Sequence, residues 1–211
     1  MGRTGNLIIV SGPSGAGKSA LSTSVLSSIP RLRFSVSYTT RAPRGTERDG
    51  IEYNFVNKSS FEDLIRKGDL LEWAEVYGNL YGTSGRFVDS CLAQGDDVLL
   101  DVDVQGASNI RRKRPDAIAV FILPPSFKVL RERLESRKQD KHYVIQQRLK
   151  IACNEIKSYR DFDYLIVNDD LSRSIEELKA IITGSRCRMA ARAEAAETIV
   201  ATFGGFDAED P

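Results

Sequence analysis

The residues most able to do chemistry lie near the N-terminus, in the segment GPSGAGKS at positions 12–19. Glycines at both ends let the backbone curl tightly, so that successive N–H groups converge on phosphate oxygens. Lysine adds a full positive charge, and a serine hydroxyl can ligate Mg²⁺. The spacing therefore predicts a phosphate cradle for a nucleoside triphosphate. Its residues are Gly12, Pro13, Ser14, Gly15, Ala16, Gly17, Lys18 and Ser19.

The elements on either side of the phosphate cradle agree with this interpretation. LIIVS at 7–11 is a short apolar run that predicts a buried strand. SALSTSVLSSI at 19–29 has helical spacing and ends before Pro30. A strand, a glycine loop and a helix in this order are the context that the motif requires. The alternative, a glycine-rich turn that matches by chance, needs no such context.

Two carboxylates follow the next apolar run of this kind. VLLDVDV at 98–104 predicts a second buried strand, and Asp101 and Asp103 lie at its end. Ligands of α/β sheets bind at this carboxyl edge. Asp101 or Asp103 could hold Mg²⁺ through water or anchor a nearby cation. The alternative is that these aspartates cap a turn.

A second anion site is predicted between residues 34 and 84. Arg41 and Arg44 are three residues apart, and two guanidinium groups can grip one phosphate in bidentate fashion. Tyrosine hydroxyls can bind its remaining oxygens. The candidate residues of this region are Ser37, Arg41, Arg44, Tyr53, Glu72, Tyr81 and Thr83.

Together these motifs resemble those of guanylate kinases, the ATP:GMP phosphotransferases. The resemblance extends over nearly the whole chain, from the phosphate cradle to VNDD at 167–170. It implies ATP as the phosphoryl donor and Mg²⁺ held by Ser19 with phosphates and waters. It also implies the roles of the residues in the second site. The GMP phosphate is held by Arg41, Arg44, Tyr53 and Tyr81, and guanine is surrounded by Ser37, Glu72 and Thr83. We count Asp101 and Asp103 in the same substrate-binding set.

The chemistry of guanine agrees with these assignments. Guanine presents N1–H and an N2 amino group as donors and O6 as an acceptor. The carboxylate of Glu72 can accept both donors, while the Ser37 hydroxyl can serve O6. Adenine lacks the N2 amino group and would leave Glu72 unpaired, which can discriminate by roughly 10⁴–10⁵. The alternative for Glu72 is a solvated carboxylate on a strand.

The charged block at 126–158 carries Arg133, Arg137 and Arg148 on predicted helical segments. By resemblance it is the mobile lid, in which Arg137 and Arg148 close over the phosphoryl groups together with Arg44. Lys18 completes the catalytic set. Inserted arginines would stabilise the charge of the transferring group. A solvated basic face is the alternative for most of these charges.

Two further features of the resemblance concern the lid and the donor end. The family commonly has glycine on each side of the first lid arginine, whereas this chain has Ser136 and Lys138 there, which predicts a stiffer lid. Asn168 and Asp169 follow a fourth predicted buried strand at 164–170 and are placed beside the adenine of ATP. Capping of the next helix by Asp169 or Asp170 is the competing interpretation.

Buried apolar strands that alternate with helices predict an α/β fold, a P-loop NTPase-type parallel sheet flanked by helices. We expect one domain over 1–211, with a β-rich GMP-binding region and a helical lid as excursions from one core. The expected parts are the core at 1–34, 97–125 and 159–200, the GMP-binding region at 35–96, the lid at 126–158 and a frayed tail at 201–211.

Composition excludes several other classes of protein. The chain has 30 Lys+Arg, 29 Asp+Glu and one His, so neither a general nucleic-acid binder nor a multi-histidine metal centre is expected. Three widely spaced cysteines are typical of a reducing compartment. The longest apolar run, at 117–123, is too short to cross a bilayer, and no signal peptide precedes it. We therefore expect a cytoplasmic protein, with monomer and homo-oligomer both open.

The expected activity is ATP + GMP ⇌ ADP + GDP, with dGMP as a further acceptor, by direct in-line transfer. One alternative is a binding module of guanylate-kinase type that recognises phosphorylated protein segments with the same arginines; such modules typically have degraded P-loops, whereas Gly12, Gly17, Lys18 and Ser19 are all present. A kinase for AMP or dTMP is disfavoured by Ser37 and Glu72.

Overall fold

The computed structural model describes residues 3–76, 78–136 and 142–203. Its core is a parallel sheet of five strands in the order β2-β7-β1-β8-β9, and a second sheet has the order β4-β3-β6-β5. The strands are β1 (Leu7–Ser11), β2 (Leu32–Phe34), β3 (Tyr38–Thr39), β4 (Asn54–Phe55), β5 (Leu70–Val76), β6 (Asn79–Ser84), β7 (Asp97–Asp101), β8 (Ile118–Leu123) and β9 (Tyr164–Val167).

Helices cover the core sheet and extend from it. They are α1 (Lys18–Ser28), α2 (Lys58–Arg66), α3 (Gly85–Ala93), α4 (Val104–Lys113), α5 (Phe127–Ser136), α6 (His142–Glu155), α7 (Leu171–Ser185) and α8 (Met189–Ala201). A 3₁₀ helix at Ile156–Asp161 connects α6 to β9. The α/β fold with a parallel core sheet confirms the predicted fold class.

The central strand β1 is buried on both faces, because consecutive side chains of a strand point to opposite sides of the sheet. Ile8 and Val10 pack in one apolar cluster with residues of α1 and α7. Leu7 and Ile9 pack in the other cluster with residues of α3 and α4. Helices therefore cover both faces of the sheet. Because β1, β7, β8 and β9 run parallel, their carboxyl ends lie at one edge of the sheet, where the candidate site lies.

The structure corrects two expectations. The run at 164–167 was expected to be a buried strand, but β9 lies at the edge of the sheet beside β8, and of its residues Ile166 alone is buried. The GMP-binding region, expected to be β-rich, also contains α2 and α3, whose apolar residues follow helical spacing. After residue 170 the chain forms α7 and α8, which are separated by a turn at residues 186–188.

A buried carboxylate fastens the start of the chain to the core sheet. Asp97 is fully buried and pairs with Arg3 at 2.8 Å and Arg186 at 2.7 Å, and it also accepts from the backbone N of Asn6 at 2.8 Å. Burial alone would raise its pKa, but the bonds from Arg3, Asn6 and Arg186 outweigh burial and lower it. Asp97 therefore joins β7 to the N-terminal segment and to the end of α7.

Replacing Asp97 with Asn should lower the free energy of unfolding at neutral pH by about 3–5 kcal/mol, because two guanidinium groups lose their partner. The lowered pKa means that the wild-type contribution is present above the ordinary Asp pKa and is lost as pH falls through the lowered value. Urea unfolding from pH 2 to 7 of wild type, Asp97→Asn and the exposed control Asp116→Asn would measure it. Equal stability of all three at pH 7 would contradict this role.

Candidate active site

The phosphate cradle lies against the ends of two neighbouring strands. Gly12 has φ 138° and Gly17 has φ 100°, in the left-handed region that favours glycine. A Cβ atom at Gly12 would lie 2.3 Å from the carbonyl oxygen of Ile122, and one at Gly17 would lie 2.2 Å from Nδ2 of Asn168. Both conformation and space therefore require glycine at these positions.

The positive end of the phosphate cradle is the start of α1. Gly17 is the N-cap and has no side chain to accept from the first helical N–H groups, which suits an anion at this end. Lys18 Nζ donates to the carbonyl oxygens of Gly12 at 2.7 Å and Pro13 at 3.4 Å. The lysine is therefore folded back over the loop, beside the place where phosphates would lie.

The two carboxylates after β7 have different surroundings. Asp101 Oδ2 accepts from the Ser19 hydroxyl at 3.1 Å. Burial raises the pKa of Asp101, while Lys18 and the Ser19 hydrogen bond oppose the rise. Asp103 Oδ1 accepts from the backbone N of Gly106 at 2.6 Å and caps α4, as the capping alternative proposed. A hydroxyl beside a carboxylate is an oxygen donor set of the kind that Mg²⁺ accepts.

A buried arginine organises the predicted second anion site. Arg41 lies 5.3 Å above the ring of Tyr53, and its pKa is raised chiefly by the hydrogen bond to Glu47, with a smaller contribution from Tyr81. The rings of Tyr53 and Tyr81 meet edge to face, with their centroids 5.8 Å apart. Burial raises the pKa of Tyr53, and Tyr81 and Asp101 add to the rise. Arg44 is exposed.

Sequence reasoning missed the carboxylate that orients these arginines. Glu47 accepts from Arg41 NH2 at 2.9 Å through Oε1, and its Oε2 forms an ion pair with Arg41 NH1 at 2.9 Å. Its Oε2 also accepts from the backbone N of Arg44 at 2.8 Å. The hydrogen bond from Arg41 lowers the pKa of Glu47 despite partial burial. A single acidic residue within the basic stretch RAPRGTER was the available signal.

A second buried carboxylate lies on the neighbouring strands. Glu72 on β5 is only 6% exposed and accepts from the hydroxyl of Thr83, its partner on β6, at 2.8 Å. Burial raises its pKa; Thr83 lowers it, Asp103 raises it further and Lys113 lowers it. The alternative of a solvated strand carboxylate is therefore wrong. Ser37, half-buried, precedes β3, and its carbonyl oxygen accepts from the backbone N of Asn54 at 2.9 Å.

Helices α5 and α6 share an apolar cluster of their own. The buried residues of this cluster are Leu130, Leu134, Ile145, Leu149 and Ala152. Arg148 is half-buried on α6, whereas Arg137 and Lys138 lie outside the described residues, as does the tail from residue 204 onward.

Glu155, the last residue of α6, is a further residue that sequence reasoning missed. Burial raises the pKa of its carboxyl, and the charge of Lys18 and the backbone N–H of Ser14 oppose the rise. The end of α6 therefore lies close enough to the phosphate cradle to feel its charge.

The donor end is built from the residues that follow β9. Asn168 is only 3% exposed, and its Nδ2 donates to the carbonyl oxygen of Ala16 at 2.8 Å. Asp169 pairs with Arg173, which lowers the pKa of this carboxylate. Asp170 caps α7 by accepting from the backbone N of Arg173 at 2.8 Å, so the capping alternative describes Asp170.

Two general properties follow from the described residues. In the parts of the chain that the structure describes, no helix combines the length and apolar character needed to cross a membrane. Within the same residues, no three His, Cys, Asp or Glu side chains converge as in a metal cage built from protein alone.

A phosphate cradle next to a second site of arginine and tyrosine is the arrangement of P-loop kinases, which pass a phosphoryl group between two bound molecules. The sequence model of the family described as guanylate kinase matches residues 4–185. The chain belongs to the guanylate kinase family.

Individual relatives agree with the family match. A guanylate kinase of Geobacter metallireducens is 46% identical over 188 residues, which cover 89% of this chain and 93% of that protein. One from Hahella chejuensis is 48% identical over 185 residues, covering 88% and 89%. The crystal structure of guanylate kinase from Anaplasma phagocytophilum superposes with a TM-score of 0.82 at 29% identity, covering 98% of this chain and 99% of that one. These findings confirm the predicted kinase.

Proposed function

We propose that the chain transfers the γ-phosphoryl group of ATP to GMP with the residues gathered at this site. An oxygen of the GMP phosphate forms a bond to the γ-phosphorus, the bond from that phosphorus to the β–γ bridging oxygen breaks, and ADP leaves with the electron pair. Because the second pKa of a phosphate monoester is near ~6, the attacking oxygen is already ionised at neutral pH. No general base is needed, which suits a chain with one histidine.

Donor binding belongs to the phosphate cradle. Lys18 and the loop N–H groups hold the phosphates of ATP. Ser19 would hold Mg²⁺ together with phosphates and waters, and the ion would neutralise phosphate charge; Asp101, which accepts from Ser19, would receive hydrogen bonds from its waters. Asn168 and Asp169, at the end of β9, remain the proposed neighbours of adenine.

Acceptor binding belongs to the second sheet. Arg41, Tyr53 and Tyr81 hold the GMP phosphate with Arg44, and Glu47 keeps the arginine pair in place. The observation that carries the choice of GMP is Glu72, a buried carboxylate with one hydroxyl partner, which can accept from N1–H and N2 of guanine. Ser37 and Thr83 complete the base-binding set, and Asp103 belongs to the wider set of proposed substrate-binding residues.

Closure completes the reaction site in this proposal. The lid at 126–158 and the GMP-binding region at 35–96 close over the core at 1–34, 97–125 and 159–200 and exclude water that would hydrolyse ATP. Arg137 and Arg148 then neutralise the charge of the transferring phosphoryl group.

A nucleotide panel tests the proposal. In a coupled assay of ADP release, we expect kcat/KM with GMP to exceed that with AMP, UMP or dTMP by roughly 10³–10⁵, because none of these bases presents the adjacent N1–H and N2 amino donors that Glu72 can accept together. We expect dGMP to be accepted, because the proposed contacts go to base and phosphate. Equal turnover with AMP would indicate another nucleoside monophosphate kinase, and ADP release that no acceptor stimulates would favour the binding module.

A further inference from the structure

The peptide between Ala16 and Gly17 is held from outside the phosphate cradle. Its carbonyl oxygen accepts from Asn168 Nδ2 at 2.8 Å and from Arg133 NH1 at 3.3 Å. We propose that Arg133 and Asn168 are positioning residues that hold this peptide so that the N–H of Gly17 points at the bound phosphate chain. The inference rests on the proposed function only in taking that chain to belong to ATP.

The direction of the amide follows from peptide geometry. In a planar trans peptide, the C=O and the following N–H point in opposite directions. Donors that draw the Ala16 oxygen outward therefore turn the Gly17 N–H inward, toward the anion site. The left-handed φ of 100° at Gly17 lets the chain make this turn before α1 begins.

The two donors are themselves anchored. Arg133 NH2 donates to the carbonyl oxygen of Asn168 at 2.8 Å, so one guanidinium bridges the two backbone oxygens. The backbone N of Asn168 donates to the carbonyl oxygen of Leu123 at 2.8 Å, which ties the asparagine to β8. Ala16 is fully buried and Asn168 nearly so, and a buried carbonyl that loses its donors costs free energy. The peptide is thus clamped between α5 and the core sheet.

The charge of Arg133 could instead act on ATP directly, without any effect on the loop. Lysine retains that charge but presents a compact ammonium group, whereas the planar guanidinium fork reaches two oxygens at once. The two explanations therefore differ in the behaviour of Arg133→Lys. A contact between Arg133 and adenine is a third explanation. Inorganic tripolyphosphate tests it, because this ligand has a phosphate chain and no base.

Titration calorimetry of the full chain with ATP and with inorganic tripolyphosphate, each with Mg²⁺, separates these cases. We expect Arg133→Met to weaken both ligands by the same factor, roughly 10- to 30-fold, the size of lost hydrogen bonds to a charged group. We expect Arg133→Lys to stay weakened and KM for GMP to be unchanged. The matched control Arg131→Met removes the same charge from α5, where Arg131 lies 5.0 Å above the ring of Phe127, and it should bind like wild type.

Other results would overturn the inference. Full recovery in Arg133→Lys would assign the effect to charge, and loss of ATP binding with normal tripolyphosphate binding would assign it to adenine. Unchanged affinities would remove Arg133 from the site. If Arg133→Met unfolds, Asn168→Ala removes the 2.8 Å donor instead and should weaken tripolyphosphate as well as ATP, which loss of an adenine contact alone would not do. A wild-type chain that binds tripolyphosphate but does not phosphorylate GMP would overturn the proposed function alone.

Discussion

A chain carrying Lys18→Met is expected to keep its fold and to lose phosphoryl transfer, with kcat reduced by at least roughly 10²–10³-fold. The ammonium group is the fixed positive charge beside the phosphate cradle, and methionine has a side chain of similar length without that charge. The bonds it would lose in the folded chain go to two carbonyl oxygens of the loop, Gly12 and Pro13. The coupled assay with saturating ATP and GMP measures the loss.

Binding and folding must be followed in the same variant. GMP affinity should be close to that of wild type, because the acceptor contacts come from the second sheet. Lys179→Met, which removes an ammonium group paired with Glu176 on α7, should retain full turnover. Retained turnover in Lys18→Met, with a normal unfolding transition, would contradict both the catalytic role and the assignment of the phosphate cradle.

Glu72→Gln should weaken the use of GMP by roughly 10²-fold or more while KM for ATP stays constant. The amide of glutamine offers one acceptor where guanine needs two, and its NH₂ group would face the donors of the base. IMP, which lacks the N2 amino group, should lose less than GMP, so the GMP/IMP ratio of kcat/KM is the informative quantity. An unchanged ratio would remove Glu72 from base recognition. Glu75→Gln, on the same strand but exposed, is the matched control.

The pH dependence supports the same test. Because burial raises the pKa of Glu72, KM for GMP should rise on acidification at a higher pH than an ordinary glutamate would cause. Wild type and Glu72→Gln share the titration of GMP itself, so the ratio of their KM values for GMP isolates the titration of Glu72. That ratio should approach one at low pH, where Glu72 is neutral.

The raised pKa of Glu72 also affects the stability of the folded chain. A carboxyl group whose pKa is raised by folding stabilises the folded state at pH values below its pKa in the unfolded chain. This contribution is lost as the pH rises through its pKa in the folded chain. At neutral pH, Glu72→Gln should therefore be at least as stable as wild type.

The features of this site that the sequence predicted each lie within a short segment of the chain. The phosphate cradle, Arg41 with Arg44, and the strand around Glu72 are each readable within a few residues, because backbone turns and guanidinium forks need particular residue types at short spacing. The strand–loop–helix context gave the fold around β1 correctly. The apolar run of β9 could not be told from a buried strand, since its place at the sheet edge depends on the order of all five strands.

The residues that orient the site could not be predicted from the sequence, because they too depend on how distant segments are arranged in the fold. Asn168 lies 152 positions from Ala16, and Arg133 lies 117 positions from it, yet both donate to one carbonyl oxygen. Glu155 reaches Ser14 from the end of α6. Such contacts exist only after the sheet has assembled, and an asparagine after a strand looks like a cap or a ligand until its partner is known.

Gly12 and Gly17 differ in what blocks a larger side chain, and this sets different evolutionary constraints on the two positions. The obstacle at Gly17 is a side-chain atom, Nδ2 of Asn168, so a second mutation at position 168 could clear the space while removing a donor from Ala16. The obstacle at Gly12 is the main-chain oxygen of Ile122, which every amino acid carries. A smaller residue at position 168 should therefore relieve only the steric part of the defect of Gly17→Ala, because the left-handed φ of 100° remains, whereas no side-chain replacement removes the obstacle at Gly12.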